Sequence, residues 1–539
     1  MPQAIGDDRA HPATRSGIQL RAVYGPEDLP GDDRYERPPG TAPYVRGAYA
    51  GMYRTQPWRI FQLSGFGNPE DEGERIRFLL EHGETGFIME HDRNTADHLY
   101  NVDHPSVVAR KEDVGRTGAV ILSVRDYATV LDGIPLDKTY AHPGGGVVQH
   151  GPFALSCYWT LAQRRGHQLG DLYGTGQSDF FLTYVGCPPE HQIPARDGLR
   201  LNCDIIEFCA AHLPHWVPVS IAGYNGAETG LNAPQELGGV IANAVEYLDL
   251  AKARGRVPVE ALARGVGGVN FRTSMDLFED VAKLRAARLL WADVLAERYG
   301  ITDERVAQLR IHALTAGSAM TYQQPLNNIV RGTVMALAGV LGGTQSLGVS
   351  GYDEALSVPS EHAHQMSLRI QQILQDEVNL RAVADPLGGS YFVESLTRDV
   401  YERGREFLDE VLDEGGFIAA LDSGWLHRRA METQLSEAAM SEGVVGVDRF
   451  ADDVWPGEID GFEGTTDAWE RGMERLAELK GTRDAGRAND AMRALDAACR
   501  SDENVMPAML DAVAADVTLG EIGDVYRGAF GDWPVPVQL

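Results

Sequence analysis

From about residue 46 to residue 400, short apolar β-branched runs take turns with amphipathic helices, and this alternation constrains the fold more than any other feature of the chain. Strands separated by helices pair in parallel, and over this length a closed (β/α)8 TIM barrel is the commonest solution. Candidate strands are residues 59–63, 86–89, 119–124, 217–223 and 309–314. The clearest helix is expected over 276–298, where Leu277, Val281, Leu284, Trp291 and Leu295 share one stripe with charges opposite. Another should begin at Ser360, an N-cap residue directly after Pro359. Beyond about 400 the pattern is nearly all helical, with segments at 399–412, 466–479, 488–500 and 506–513. Residues 1–45 are rich in Pro, Gly, Asp and Arg and lack apolar periodicity, which suits an arm that is extended or packs only on a partner. The expectation is therefore an α/β chain: an N-terminal arm (1–45), a substrate-binding barrel (46–400) and a helical linker or docking region (401–539).

Composition narrows the function. A chain of 539 residues with 43% hydrophobic content can build a large core and more than one domain. A formal charge of -30 argues against nucleic acid, whose phosphates need a basic surface. The five cysteines show no C-x-x-C spacing, and so sparse a set fits a reducing compartment and buried thiols. The N-terminus has no basic-then-apolar layout, and the uncharged stretch 332–352 is too polar and glycine-rich to span a membrane. A cytoplasmic protein without membrane or nucleic-acid partners is expected.

The common catalytic motifs are missing: no G-x-S-x-G elbow, no Walker A loop and no H-E-x-x-H. Gly144, Gly145 and Gly146 read as a tight barrel turn and not as a dinucleotide loop. More telling is Leu341-Gly342-Gly343-Thr344-Gln345-Ser346-Leu347, followed by Asp353-Glu354-Ala355. It is nearly uncharged, carries adjacent glycines and bears neutral amide and hydroxyl groups. That suits a close turn at the edge of a pocket, with Glu354 the first acid inside.

This segment resembles the "LGGTQSL…DEA" stretch of adenosylcobalamin-dependent acyl-CoA mutases, the methylmalonyl-CoA mutase family. Further motifs follow in the same order. Gln56-Pro57-Trp58 with Gln62-Leu63-Ser64-Gly65-Phe66 is similar to "RPWTIRQYAGF". Gly174-Thr175-Gly176-Gln177-Ser178-Asp179 is similar to "GTIQND", and Ser220-Ile221-Ala222-Gly223-Tyr224 to "SISGYH". Ala282-Lys283-Leu284-Arg285-Ala286 matches "AKLRA", and Asp385-Pro386-Leu387-Gly388-Gly389-Ser390-Tyr391 resembles "DPWGGSYYVE". The resemblance implies a radical 1,2-migration of a thioester group inside a barrel whose mouth is closed by cobalamin. It implies catalytic roles for Gln177, Tyr224 and Asn225. It places the substrate against Met52, Gln56, Arg59, Leu63, Glu90, Thr175, Arg264 and His312. It places the cofactor against His91, Glu228, Gln345, Glu354 and Ala355, with no metal ligand in this chain.

The family's corrin module carries D-x-H-x-x-G, and the nearest string here is Arg165-Gly166-His167-Gln168-Leu169-Gly170, inside the barrel region. The chain therefore resembles the large subunit of the split family members. A separate small B12-binding subunit would then supply the cobalt ligand, giving a hetero-oligomer. Departures bear on the substrate. Asn225 replaces the histidine of the "YH" pair; it can donate a hydrogen bond but cannot carry a proton or a positive charge. Leu63 stands where methylmalonyl-CoA mutases have a tyrosine, and their carboxylate-binding arginine is lost near Cys187. Methylmalonyl-CoA is then a poor fit. Glu90 would accept from a hydroxyl or other polar substituent on a branched acyl group. Altered contacts at Gln56, His142 and Gly144 leave free CoA and a carrier-protein pantetheine both open as the thioester carrier. Two readings remain at this stage: an active mutase subunit with a changed substrate, or a non-catalytic scaffold subunit of a mutase assembly.

Overall fold

The computed structural model describes residues 13–186, 191–440, 443–451, 462 and 464–533. Its ten strands are β1 (Arg59–Ile60), β2 (Leu63–Ser64), β3 (Gly86–Met89), β4 (Tyr140–His142), β5 (Gly174–Thr175), β6 (Trp216–Val217), β7 (Ser220–Ala222), β8 (Gly268–Thr273), β9 (Arg310–Thr315) and β10 (Ser346–Gly348). They form two five-stranded sheets, ordered β1-β10-β9-β8-β7 and β2-β3-β4-β5-β6. Every pairing is parallel. Both edges are shared through the chain itself. Only Phe61 and Gln62 separate β1 from β2, and only Pro218 and Val219 separate β6 from β7. Pro218 has no N–H to give a ladder, which accounts for the second gap. Gly176 spans that gap, donating to the Val217 carbonyl at 2.9 Å and accepting from the Ser220 N–H at 2.9 Å.

The alternation of strands and helices reads correctly from sequence, with one strand misplaced and four missed. Residues 119–124 are not a sheet strand. Ala119 makes a single parallel bridge to His91, and the chain then enters the helix Val124–Val130 through its Ser123 cap. Strands β4, β5, β8 and β10 carry polar or small residues on their inward face, so they show no apolar run to detect. The helix Leu277–Tyr299 starts from Asp276, whose carboxylate accepts from the Glu279 N–H, and Glu361–Asp376 starts from Ser360, whose hydroxyl accepts from the Ala363 N–H.

Helices Ala233–Arg254, Leu277–Tyr299 and Tyr391–Asp413 pack on one another, so position 400 lies inside a helix. Their core holds Tyr247, Phe271, Trp291 and Phe407. A second core gathers Phe87, Phe153, Trp159 and Trp216 with Leu495, Met506, Met509 and Ile522 from the C-terminal helices Ala485–Cys499, Val505–Ala514 and Leu519–Phe530. The tail's apolar faces are thus buried on its own chain. The arm corrects its expectation in the same way. Residues 13–45 have little regular structure, but Ile18, Tyr35, Tyr44 and Val45 are buried against the protein. Arg34 pairs with Asp293 at 2.8 Å, and the Tyr44 hydroxyl donates to the Glu304 carbonyl at 2.6 Å. Among the described residues no helix is long and apolar enough to cross a membrane.

Candidate functional site

Parallel strands gather their N-terminal residues at one end of the sheets and their C-terminal residues at the other. A cavity of about 300 Å³ runs between these ends, and all ten strands contribute to its wall. Alternation along a strand decides which residues face it. On β9 these include Arg310, His312 and Leu314; on β8, Gly268 and Asn270. Small residues at Gly268 and Ser220 leave room for this space between the strands.

At the N-terminal end the wall is Tyr49, Arg59, Tyr140 and Arg310. The Arg59 guanidinium stacks 4.5 Å from the Tyr140 ring, and Arg310 donates to the Arg264 carbonyl. Neither arginine has a carboxylate partner among the described residues. In mid-cavity, burial pushes the His142 imidazole down to about 4 and that of His312 down to about 3, so both rings are neutral. His312 Nδ1 lies 2.8 Å from the Ser346 hydroxyl.

At the C-terminal end stand Leu63, Glu90, Arg93, Gln177, Tyr224 and Asn225. Tyr224 and Asn225 fall in the helix Gly223–Glu228, which follows β7 directly, and Gln177 sits just past β5. Burial pushes the Glu90 carboxyl up to about 8, with Asp97 adding to the rise and Arg93 opposing it. Glu90 therefore holds its proton at neutral pH and offers an O–H donor. Its second oxygen can still accept, so the expected bond from a polar substituent stays open. Arg93 is engaged by Asp97 at 3.0 Å.

The mouth beyond is polar. The Tyr224 hydroxyl accepts from the Gly317 N–H at 3.4 Å, and Glu228 accepts from both the N–H and hydroxyl of Ser318 at 2.9 Å. Glu354 is exposed at the mouth, and partial desolvation with the like charges of Asp353 and Glu228 raises its carboxyl above the ordinary range.

The family model described as methylmalonyl-CoA mutase matches residues 13–532. The chain belongs to the methylmalonyl-CoA mutase family. Members of this family are isomerases. The large subunit of 2-hydroxyisobutanoyl-CoA mutase from Aquincola tertiaricarbonis is 34% identical over 507 residues, covering 92% of this chain and 87% of that protein. Methylmalonyl-CoA mutase of Escherichia coli K12 is 33% identical over 539 residues, covering 97% and 73%. The methylmalonyl-CoA mutase large subunit of Streptomyces virginiae is 33% identical over 530 residues, covering 96% and 71%.

Of the residues that the family resemblance singled out, Arg59, Leu63, Glu90, Thr175, Gln177, Tyr224, Asn225, His312 and Gln345 meet in the cavity wall. Gln345 is committed to the backbone there: its amide donates to the Gly343 carbonyl and accepts from the Ile311 N–H, both at 2.8 Å. Glu228, Glu354 and the exposed Ala355 lie outside the wall, the two acids at the mouth.

Four residues fall elsewhere. Met52 is buried in a neighbouring core with Tyr53 and Trp58. Gln56 lines a separate crevice of about 20 Å³ behind Arg59. Arg264 is exposed on the helix Val259–Val266 and reaches the cavity only through its carbonyl, held by Arg310. His91 faces away, because it alternates with the inward Glu90. Its Nδ1 lies 3.1 Å from His150 Nε2, and its Nε2 lies 3.3 Å from the Tyr127 hydroxyl. Cys187, where an arginine was judged lost, lies outside the described residues.

Sequence reasoning missed Arg310, Asn270, Ser220 and Arg93 as wall residues. A signal was available for two of them: Arg310 and His312 alternate with apolar residues, as do Asn270 and Arg272. The Gly144–Gly146 run forms a tight turn just after β4. Gly144 has φ of 90°, and a Cβ there would stand 2.6 Å from His91 Nε2.

Proposed function

We propose that this chain is the catalytic large subunit of an adenosylcobalamin-dependent acyl-CoA mutase that isomerises a small hydroxylated, branched acyl thioester, with the corrin held by a separate small subunit. The polarity of the cavity carries this reading. Two guanidinium groups without acidic partners stand at one end, neutral rings and amides in the middle, and a pocket of neutral donors at the other. An acyl-CoA has the same division: phosphates, then a neutral amide arm, then the acyl thioester. The two sheets are read as halves of one eight-stranded barrel, supported by the shared segments 59–64 and 216–222 and by a wall drawn from every strand. A scaffold would have no use for a polar void through its centre.

Gln177 and Asn225 are neutral donors suited to hold the thioester and acyl oxygens without ionising. Glu90, protonated, suits a hydroxyl on the acyl group, which it can meet as a donor. Arg93 is balanced by Asp97, so an acyl carboxylate has no uncompensated cation to meet at this end. This favours a hydroxylated acyl group over methylmalonyl, in line with the 2-hydroxyisobutanoyl-CoA mutase of Aquincola tertiaricarbonis.

The mouth fits the cofactor. Glu228 and Glu354 suit ribose hydroxyls, and Leu63, 50% exposed at the rim, offers an apolar contact. Adenosylcobalamin supplies, when bound, the radical that starts the rearrangement. The chain's own part is to orient the acyl group, exclude water and hold its oxygens. His167 follows the helix Gly151–Arg164 and precedes β5, at the end of the strands opposite the mouth, which supports a cobalt ligand from another subunit. The test is corrin retention. The purified chain alone should hold no adenosylcobalamin through gel filtration, and adding a small subunit bearing D-x-H-x-x-G should give a cobalamin-dependent complex. Stoichiometric corrin kept by the chain alone would contradict the proposal.

A further inference from the structure

Leu63 sits where the sheet ladder fails. On one side β2 keeps its register with β3, Leu63 opposite Ile88. On the other side the ladder from β1 to β10 ends when the Phe61 N–H donates to the Leu347 carbonyl at 3.0 Å. Farther along that side the Ser350 N–H turns instead to the Thr315 hydroxyl at 2.8 Å. The Leu63 carbonyl is left without a strand partner. His364, in the first turn of the helix Glu361–Asp376 and only 3% exposed, takes the vacancy, with Nε2 at 3.1 Å from that carbonyl.

The other ring nitrogen decides the proton. Arg75 Nη1 lies 3.0 Å from His364 Nδ1. A guanidinium can only donate, so Nδ1 accepts, Nε2 bears the hydrogen, and Nε2 donates to Leu63. Arg75 is itself fixed. It donates to the Pro359 carbonyl at 3.0 Å, just ahead of the helix carrying His364, and stacks over Phe66 at 4.8 Å. Arg75, His364 and the Leu63 carbonyl thus form one directed chain of hydrogen bonds, ending on a residue of the cavity wall.

We propose that His364 is a positioning residue that, oriented by Arg75, sets the place of Leu63 and thereby which acyl groups the cavity accepts. The inference rests on the reading that the acyl group lies at the C-terminal end of the cavity. No other described side chain holds the Leu63 backbone on the open side, so a shift there moves the wall of the pocket. A merely structural histidine would weaken all ligands alike. A positioning histidine changes their ratio, and does so only while the Leu63 side chain is present.

The experiment is a double-mutant cycle read as selectivity. The full chain is titrated by calorimetry with isobutyryl-CoA and n-butyryl-CoA, and the ratio of the two Kd values is compared among wild type, Leu63→Ala, His364→Ala and the double variant. The expected results are a shift of about fivefold in the ratio for His364→Ala, and a double variant whose ratio equals that of Leu63→Ala alone. Arg75→Met, which removes the donor to Nδ1 and keeps the ring, should shift the ratio in the same direction by less, and it serves if His364→Ala does not fold. An unchanged ratio in a folded His364 or Arg75 variant, or additive shifts in the double variant, would overturn the proposal. Failure of the wild-type chain to bind either thioester would overturn the cavity reading itself, and so is distinguishable from failure of the positioning role.

Discussion

The two ends of the cavity are built from the same eight segments of chain, yet they answer to opposite chemistry. At the N-terminal end Arg59 and Arg310 face no carboxylate among the described residues. At the C-terminal end the one arginine is paired with Asp97 and the acid, Glu90, is neutral because burial raises it to about 8. The difference teaches how a single tunnel can bind a ligand in one direction. Charge left unpaired selects an anionic terminus, and charge cancelled or titrated away selects a neutral one.

The largest effect should come from removing the charged end. Arg59→Ala combined with Arg310→Ala should weaken acyl-CoA binding by about 10²–10⁴-fold, from two charge-assisted contacts of roughly 1.5–3 kcal/mol each. The matching acyl-pantetheine thioester, which lacks the nucleotide, should change by no more than about twofold. Calorimetric titration with the two ligands checks this, and equal losses for both would break the polarity argument.

Next is the neutral end. Because Glu90 titrates near 8, about a tenth of it remains protonated at pH 9. Affinity for 2-hydroxyisobutyryl-CoA should therefore fall several-fold from pH 7 to pH 9, whereas isobutyryl-CoA affinity stays level and Glu90→Gln flattens the difference. A profile for Glu90→Gln that keeps the wild-type fall would assign the titration to another group.

The same carboxyl makes a second prediction, about stability. Its folded value, about 8, lies above the ordinary unfolded value of about 4.3, so the folded state holds the extra proton between them. Its contribution is full below about pH 4.3 and is lost as pH rises toward 8. The Tm of wild type relative to Glu90→Gln should decline across that window and level off above it. A Tm difference that stays flat would show that Glu90 ionises normally in the folded protein.

The smallest effect belongs to Leu63. Half exposed at the rim, it should cost no more than about 0.5 kcal/mol on conversion to alanine. Leu347, fully buried beside the same wall, should cost about 2–5 kcal/mol on the same change. Urea unfolding of the two variants checks the contrast, and a Leu63 loss as large as that of Leu347 would make it a core residue and not a ligand contact.

What was legible in the sequence follows from the same division. Strands with an apolar run, such as Gly86–Met89, and helices with a cap and a stripe, such as Leu277–Tyr299, announce themselves by periodicity. The strands Gly268–Thr273 and Ser346–Gly348 do not, because their inward positions serve the cavity and not the core. Residues 119–124 look like a strand because they are apolar and buried, but their partner is one bridging residue, His91. The burial of the arm depends on Tyr44 and Arg34 meeting the helix Leu277–Tyr299 and the turn that follows it, and no local pattern reports that. In the site, Gln177 and Tyr224 were found by their motifs. Arg264 lies on the helix Val259–Val266 outside the cavity wall, and the wall residue beside it is Arg310, which donates to its carbonyl; a strand's inward face is set by sheet register, which no local pattern reports.

The most direct test of the central claim is product formation by the assembled enzyme. The chain should be combined with a corrin-binding small subunit and adenosylcobalamin, and 2-hydroxyisobutyryl-CoA followed by mass-resolved chromatography. Migration of the thioester to a methyl carbon should yield 3-hydroxybutyryl-CoA only when both subunits and the cofactor are present, with methylmalonyl-CoA turned over far more slowly. Absence of any rearranged thioester from a complex shown to hold corrin, or methylmalonyl-CoA turnover equal to that of the hydroxylated substrate, would contradict the account.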